Sequence, residues 1–102
     1  MTTTATQHEF DYVDLSSLPE HMRTSVRSYL NDGILPDDFL TAVLRNDLVR
    51  AVTLADDKNT AALFAWAMWL YNECPDDAWG SREKVREWSL RRRRLTRNEE
   101  LR

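Results

Sequence analysis

The stretch AALFAWAMWLY, residues 61–71, is apolar on every side of a helix and decides how this sequence folds. Its eleven residues are too few to cross a bilayer, which takes about 20. A helix without a polar face must be covered on all sides. Two ways of covering it are open: it is the central helix of the fold, or another subunit completes one of its sides. We expect a homo-oligomer, because a chain of 102 residues has few elements with which to surround this helix.

Helical patterns flank this stretch on both sides. Residues 17–20, Ser-Leu-Pro-Glu, have the form of a capping box, and Gly33 can end the first helix in the left-handed conformation. Residues 46–47, Asn-Asp, either interrupt the second helix or begin a continuation of it, and Ser81 is the predicted N-cap of the last helix. Only 2 Gly and 3 Pro are present, too few for the turns of an all-β fold. The sequence therefore predicts an all-α fold, a small bundle of about four to five helices around a central apolar helix at residues 60–73.

Charge is divided unevenly along the chain. The net charge is −3, yet residues 1–81 carry 5 basic and 13 acidic side chains, whereas residues 82–102 carry 9 basic and 4 acidic ones. This division predicts an acidic body with a basic end. We therefore expect a flexible N-terminus at residues 1–9, a helical domain at 10–90 and a basic, Arg-rich C-terminal helix or tail at 91–102.

Cysteine content and hydropathy predict the compartment. The single cysteine, Cys74, excludes an intramolecular disulfide, so the fold does not depend on an oxidising environment. The first residues lack the basic start and apolar stretch of a signal peptide, and no stretch is long enough for a membrane span. We expect a cytoplasmic protein that makes no membrane contact.

Residue types that carry catalysis lie where structural roles explain them. The three Asp-Asp pairs, at 37–38, 56–57 and 76–77, precede or open predicted helices, where carboxylates cap amide groups. Neither histidine is placed to complete a metal set, so we predict no metal and no cofactor. Cys74 ends an apolar helix, and the sequence contains neither a glycine-rich phosphate loop nor a nucleophile elbow. The sequence therefore predicts no catalytic residue and a non-enzymatic protein.

A polar loop carries the best candidate for a ligand or partner site. Trp79 lies beside Ser81 and Arg82, at the start of a helix whose free amide groups attract anions. We predict that an aromatic ring here stacks on a base while arginines contact phosphate. The residues of this predicted site are Tyr12, Trp79, Ser81, Arg82 and Arg86. The alternative is that Trp79 folds back as a lid on the core.

The run of Arg91, Arg92, Arg93 and Arg94 suggests contacts with nucleic-acid phosphates. Four consecutive residues point around most of the circumference of a helix, so they do not form one stripe along a groove. A solvated tail, or a tail docked on an acidic neighbour, is the alternative.

Several motifs between residues 33 and 88 carry a resemblance. They are FLTAVL at 39–44 followed by NDL at 46–48, AD at 55–56, YNE at 71–73 with Pro75, and GS at 80–81 followed by Trp88. This half of the chain is similar to a family of small, uncharacterised accessory proteins of tailed bacteriophages and prophages. The resemblance implies a phage accessory protein in the bacterial host cytoplasm, and it implies no activity and no functional residue.

Three classes of function follow as hypotheses. The first is a protein that binds and blocks a host component as a defence antagonist. It would act on a host protein, towards which the acidic body mimics nucleic acid, or by sequestering a small signalling nucleotide. The second is a nucleic-acid-binding regulator that uses the basic tail. The third is a minor virion or assembly protein.

Overall fold

Six α-helices and no strand make up the part of the chain that the computed structural model describes, residues 9–100, with only the backbone described at 99 and 100. The helices are α1 (Arg23–Asp32), α2 (Asp38–Leu44), α3 (Leu48–Leu54), α4 (Asp57–Ala61), α5 (Leu63–Asn72) and α6 (Arg82–Glu100). Short 3-10 turns at Glu20–Met22 and Asp76–Ala78 precede α1 and α6. The predicted all-α bundle is confirmed. The predicted flexible N-terminus lies outside the described residues, except for Glu9.

Side-chain caps explain why the chain forms more helices than the four to five predicted. Asp37, Asp47 and Asp56 each accept a hydrogen bond from the backbone N–H three residues later, at 2.9, 3.3 and 2.7 Å, and so begin α2, α3 and α4. Asn46 adopts a left-handed φ of 62° between α2 and α3, so residues 46–47 separate two helices. Ser81 caps α6 in the same way, as predicted, at 3.1 Å.

The start of the first helix differs from its prediction. Pro19, and not Ser17, is the N-cap residue of the 3-10 turn, and no side chain caps it. The carbonyls of this segment are used instead by Arg23, whose guanidinium donates to the carbonyl oxygens of Leu18 and Ser16 at 3.0 and 3.1 Å. The capping-box prediction was therefore wrong, because the chain enters α1 through a 3-10 turn after Pro19 in which no side chain caps the first N–H groups.

Three buried tryptophans hold the core together through their ring nitrogens as well as their area. The Nε1 atoms of Trp66, Trp69 and Trp88 donate to Asn59 Oδ1 at 3.1 Å, to the Asp14 carbonyl at 2.9 Å and to the Tyr29 carbonyl at 3.2 Å. The bonds of Trp69 and Trp88 join residues that are 55 and 59 positions apart in the sequence, and the bond of Trp66 joins α5 to α4. Because a buried indole N–H without a partner is costly, these bonds fix the orientation of the rings.

Only one side of α5 packs into this core. Trp66, Trp69 and Leu70 are buried, whereas Phe64 and Tyr71 are each 78% exposed. In the part of the chain that the structure describes, the other elements therefore do not cover α5 on all sides. The first of the two alternatives, a central helix enclosed by its own chain, does not hold there. No described helix has both the length and the apolar character that a membrane span requires.

Helix α6 continues without a break through residue 91, where the charge pattern predicts the start of a basic C-terminal helix or tail. Arg92 is only 4% exposed; its Nε donates to the Asn31 carbonyl at 3.0 Å and its Nη1 lies 3.1 Å from Glu9 Oε1. Its guanidinium also lies 5.0 Å from the ring centre of Phe10. The packed body thus extends past residue 90, because Arg92 follows Trp88 by one helical turn and shares its buried side.

Candidate anion-binding cleft

A cleft of about 360 Å³ lies where the end of α2 meets α6. Its lining combines four arginines with three apolar residues and one serine: Arg45, Arg82, Arg86, Arg93, Leu35, Val85, Leu90 and Ser89. No carboxylate is among these lining residues. The cleft is therefore a concentration of positive charge on a chain whose net charge is −3.

Three of the cleft arginines come from one side of α6. Arg82, Arg86 and Arg93 stand at positions i, i+4 and i+11, which places them within an arc of about 40° on an α-helix. Arg97, at i+15, extends this arc to about 60°. From Arg82 to Arg97 the row is about 22 Å long at 1.5 Å per residue. We call these four residues the arginine row.

Arg45 approaches the cleft from the other wall. It is the residue that ends α2, and its side chain is half-buried. Its Nε is buried and has no hydrogen-bond partner within the described part of the chain. A buried donor without a partner costs about 1–3 kcal/mol, and more when it is charged.

The other cleft arginines differ in how firmly they are held. Arg82 and Arg86 are exposed and make no side-chain hydrogen bond or ion pair with the rest of residues 9–98. Arg93 donates from Nε to the Gly33 carbonyl at 3.2 Å, which fixes its position beside the cleft. Guanidinium groups without carboxylate partners keep their N–H donors available for the oxygens of an incoming anion.

Apolar side chains complete the cleft. Leu35 and Leu90 are each 45% exposed, and Val85 is buried at the base of α6. The one hydroxyl in the lining, that of Ser89, donates to the Gly33 carbonyl at 2.6 Å. The cleft therefore offers cationic donors beside an apolar surface, a combination that suits a ligand with both a phosphate and a base or sugar ring.

The structure brings together only two of the five residues of the predicted site. Arg82 and Arg86 line the cleft, and Ser81 serves as the cap of α6. Trp79 is half-buried against the hydrophobic core, as in the lid alternative. Tyr12 is 77% exposed and its ring lies 6.2 Å from that of Phe10. Neither aromatic residue lines the cleft, because the loop of Trp79 turns inward and Tyr12 lies on the N-terminal segment.

The four adjacent arginines face different surroundings, as their spacing predicts. The guanidinium of Arg91 lies 5.5 Å from the ring centre of Trp88. Arg92 is buried, and Arg93 lines the cleft. Arg94 joins Leu90, Arg93 and Arg97 around a second hollow of about 450 Å³. Only Arg93 and Arg94 of the four are thus placed to meet a ligand together with other arginines.

Two features of the cleft were missed from the sequence. The arginine row has a sequence signal, because its spacing of 4, 7 and 4 residues keeps one side of a helix, but the run at 91–94 draws attention to adjacent residues instead. Arg45 has no such signal. Its place depends on how the end of α2 packs against α6, which no local pattern reports.

The surroundings of Cys74 and His21, two other side chains of reactive type, give each of them a structural role. Burial raises the pKa of the Cys74 thiol, and the nearby carboxylate of Asp76 raises it further, so the thiol stays protonated. His21 Nε2 lies 3.1 Å from Asp56 Oδ2 on the surface, and the pKa of Asp56 is lowered by the Asn59 amide and by His21. Residues 9–98 contain no group of three or more His, Cys, Asp or Glu side chains arranged to hold a metal ion.

No family model, no curated protein and no solved structure matches this chain. The similarity of residues 33–88 to phage accessory proteins therefore stays a prediction.

Proposed function

We propose that this chain is a non-enzymatic binding protein that takes the phosphate groups of a small nucleotide into the arginine cleft and thereby sequesters it. The proposed setting is the cytoplasm of an infected bacterium, where a phage accessory protein would withdraw a signalling nucleotide from the host. That setting is supported by the resemblance of residues 33–88 alone. The choice of ligand is supported by the cleft.

The observation that carries the proposal is the convergence of Arg45 with the three cleft arginines of α6, without a carboxylate in the lining. Like charges placed side by side repel, so such a group is unfavourable until an anion joins it. The chain has 17 acidic residues with which it could neutralise the cleft, yet none lines it. Guanidinium groups match phosphate oxygens in pairs of parallel hydrogen bonds.

The size and lining of the cleft favour a small nucleotide. Its volume of about 360 Å³ lies in the range of small-molecule sites, about 300–1,000 Å³. Leu35 and Leu90 offer apolar surface on which a base or ribose packs. In this proposal these aliphatic side chains take the place of the stacking aromatic residue that the sequence predicts.

Calorimetric titration tests this function. The wild-type chain is titrated with cyclic mononucleotides, cyclic dinucleotides and pyrophosphate at low ionic strength, and we expect saturable heat with at least one phosphate-containing ligand. Arg86→Ala and Arg45→Ala should each weaken the affinity by about 10-fold or more, since each removes a charge-assisted hydrogen bond. Binding should also weaken between about 50 and 200 mM salt.

Arg50→Ala is the matched control. Arg50 is an exposed arginine on α3 that does not line the cleft, so its removal changes the net charge by the same amount and should leave the affinity unchanged. Absence of saturable heat across the panel would overturn the proposal. So would a wild-type affinity in both Arg86→Ala and Arg45→Ala.

A second candidate function, nucleic-acid binding through the basic end, is favoured by the length of the arginine row. The row continues beyond the cleft to Arg97, and Arg94 and Arg97 border the second hollow. A surface about 22 Å long is longer than a small nucleotide needs and matches several phosphates of a single strand.

Arg97→Ala separates the two candidates. Arg97 lies in the row but does not line the cleft. If a single-stranded oligonucleotide is the ligand, this substitution should lower the affinity and reduce its salt dependence by about one charge. If a small nucleotide is the ligand, Arg97→Ala should bind it as the wild type does.

A further inference from the structure

Helices α3 and α5 carry a second surface, which is apolar, whereas the arginine cleft is cationic. Its members are exposed apolar side chains: Leu48, Val49 and Val52 from α3 and Phe64, Met68 and Tyr71 from α5. We call these six residues the α3–α5 face. Helix α5 carries no charged residue, and the one charged residue of α3, Arg50, lies on the side of that helix away from Leu48 and Val52.

A groove joins the two halves of this face. It has a volume of about 90 Å³ and is lined from α3 by Leu48 and Ala51, from α5 by Leu63, Trp66, Ala67 and Leu70, and at one end by Val43, Asn46 and Asp47 of α2 and the loop that follows it. Val52 follows Leu48 by one helical turn and so lies on the same side of α3, whereas Phe64 and Tyr71, seven positions apart, share a side of α5 about 100° around that helix from the groove residues Leu63 and Leu70. The α3–α5 face therefore combines a groove, which Leu48 lines, with aromatic rings that project from a neighbouring side of α5.

Helix α3 itself is poorly covered by its own chain. Of its seven residues only Ala51 is buried, while Leu48 and Val49 are 71% and 73% exposed. An amphipathic helix is stabilised mainly by burial of its apolar side. Here most of that side remains in contact with solvent.

The exposed apolar area amounts to most of what a subunit contact buries on one partner. With about 200 Å² for an aromatic and about 150 Å² for an aliphatic side chain, the exposed parts of the six residues amount to roughly 650 Å². This exceeds the largest apolar patch of most monomers, about 300–600 Å². A stable protein contact buries about 800 Å² on each partner, including its polar rim.

We infer that the α3–α5 face is the contact between two copies of this chain, related by a twofold axis. A twofold contact needs one surface that is complementary to itself, so that residue i meets residue j and j meets i. The α3–α5 face has both parts: a projecting ring, Phe64, and a groove whose lining includes the small side chains of Ala51 and Ala67. In the dimer the Phe64 ring of each copy enters the groove of the other, and α3 gains the cover that it lacks.

Analytical ultracentrifugation of the full chain tests this inference. At about 100 μM we expect a species of twice the 12.0 kDa chain mass, in equilibrium with monomer on dilution. Phe64→Asp and Leu48→Asp should each weaken the dimer by about 30-fold or more, as for a central contact residue. Both side chains are exposed in the monomer, and circular dichroism should show unchanged helix content.

Tyr12→Asp is the matched control, because Tyr12 is an equally exposed aromatic residue that lies outside the α3–α5 face. It should dimerise as the wild type does. A wild-type chain that sediments only as a 12.0 kDa monomer at about 100 μM would overturn the inference. Wild-type association in both Phe64→Asp and Leu48→Asp would also overturn it, since the copies would then meet elsewhere.

Discussion

At the scale of single residues, Gly33 links the end of α1 to the cleft. Its φ of 73° ends the helix in the left-handed region, as the sequence predicts. Its carbonyl accepts hydrogen bonds from Ser89 Oγ and Arg93 Nε, and its Cα approaches the backbone of α6 so closely that a Cβ would collide with the Ser89 carbonyl oxygen. The helix end was predictable from local chemistry. The close approach was not, because it depends on how two distant helices pack.

Gly33→Ala should therefore destabilise the fold. A left-handed conformation costs an alanine about 1–2 kcal/mol, and the collision with Ser89 adds to this, so we expect a loss of about 2 kcal/mol or more. Urea unfolding measures it. Thr24→Ala, at an exposed position of α1, should change the free energy of unfolding by less than about 0.5 kcal/mol. A similarly small change in Gly33→Ala would contradict the packing described here.

At the scale of elements, one side of α6 packs against the body of the protein and another side faces solvent. Val85, Trp88 and Arg92 face the body, whereas the arginine row faces outward. The sequence identifies the helix and its cap correctly, but the charge pattern alone does not show which of the four adjacent arginines packs into the body and which are solvated. Arginine is seldom buried without partners. The partners of Arg92, Asn31 and Glu9, are too distant in sequence for a local pattern to reveal them.

Truncation of α6 tests this division. A chain that ends at residue 90 loses Arg92 and leaves the buried Asn31 carbonyl without its donor, so its free energy of unfolding should fall by about 2 kcal/mol or more. A chain that ends at residue 97 keeps these contacts and should unfold within about 1 kcal/mol of the full chain. Equal stability of the two truncated chains would contradict the role of Arg92. Loss of ligand binding on removal of residues 91–102 would thus reflect a weakened fold as well as lost charge.

At the scale of the whole molecule, two surfaces of opposite chemistry lie on one small bundle. The apolar stretch at 61–71 correctly predicts the fold class and draws attention to α5. The sequence also predicts an acidic body with positive charge towards the C-terminus. What it could not predict is that Arg45, from the acidic part, would meet the arginine row across a cleft, since that meeting is a property of tertiary packing.

The central claim is that the arginine cleft binds phosphate groups, and nuclear magnetic resonance tests it residue by residue. A cyclic dinucleotide is added to isotopically labelled chain while the backbone amide shifts are followed. We predict saturable shifts that are largest at Arg45, Arg82, Arg86 and Arg93. Saturable shifts centred on Tyr12 and Trp79, or only small shifts that never saturate for any phosphate ligand, would contradict the claim.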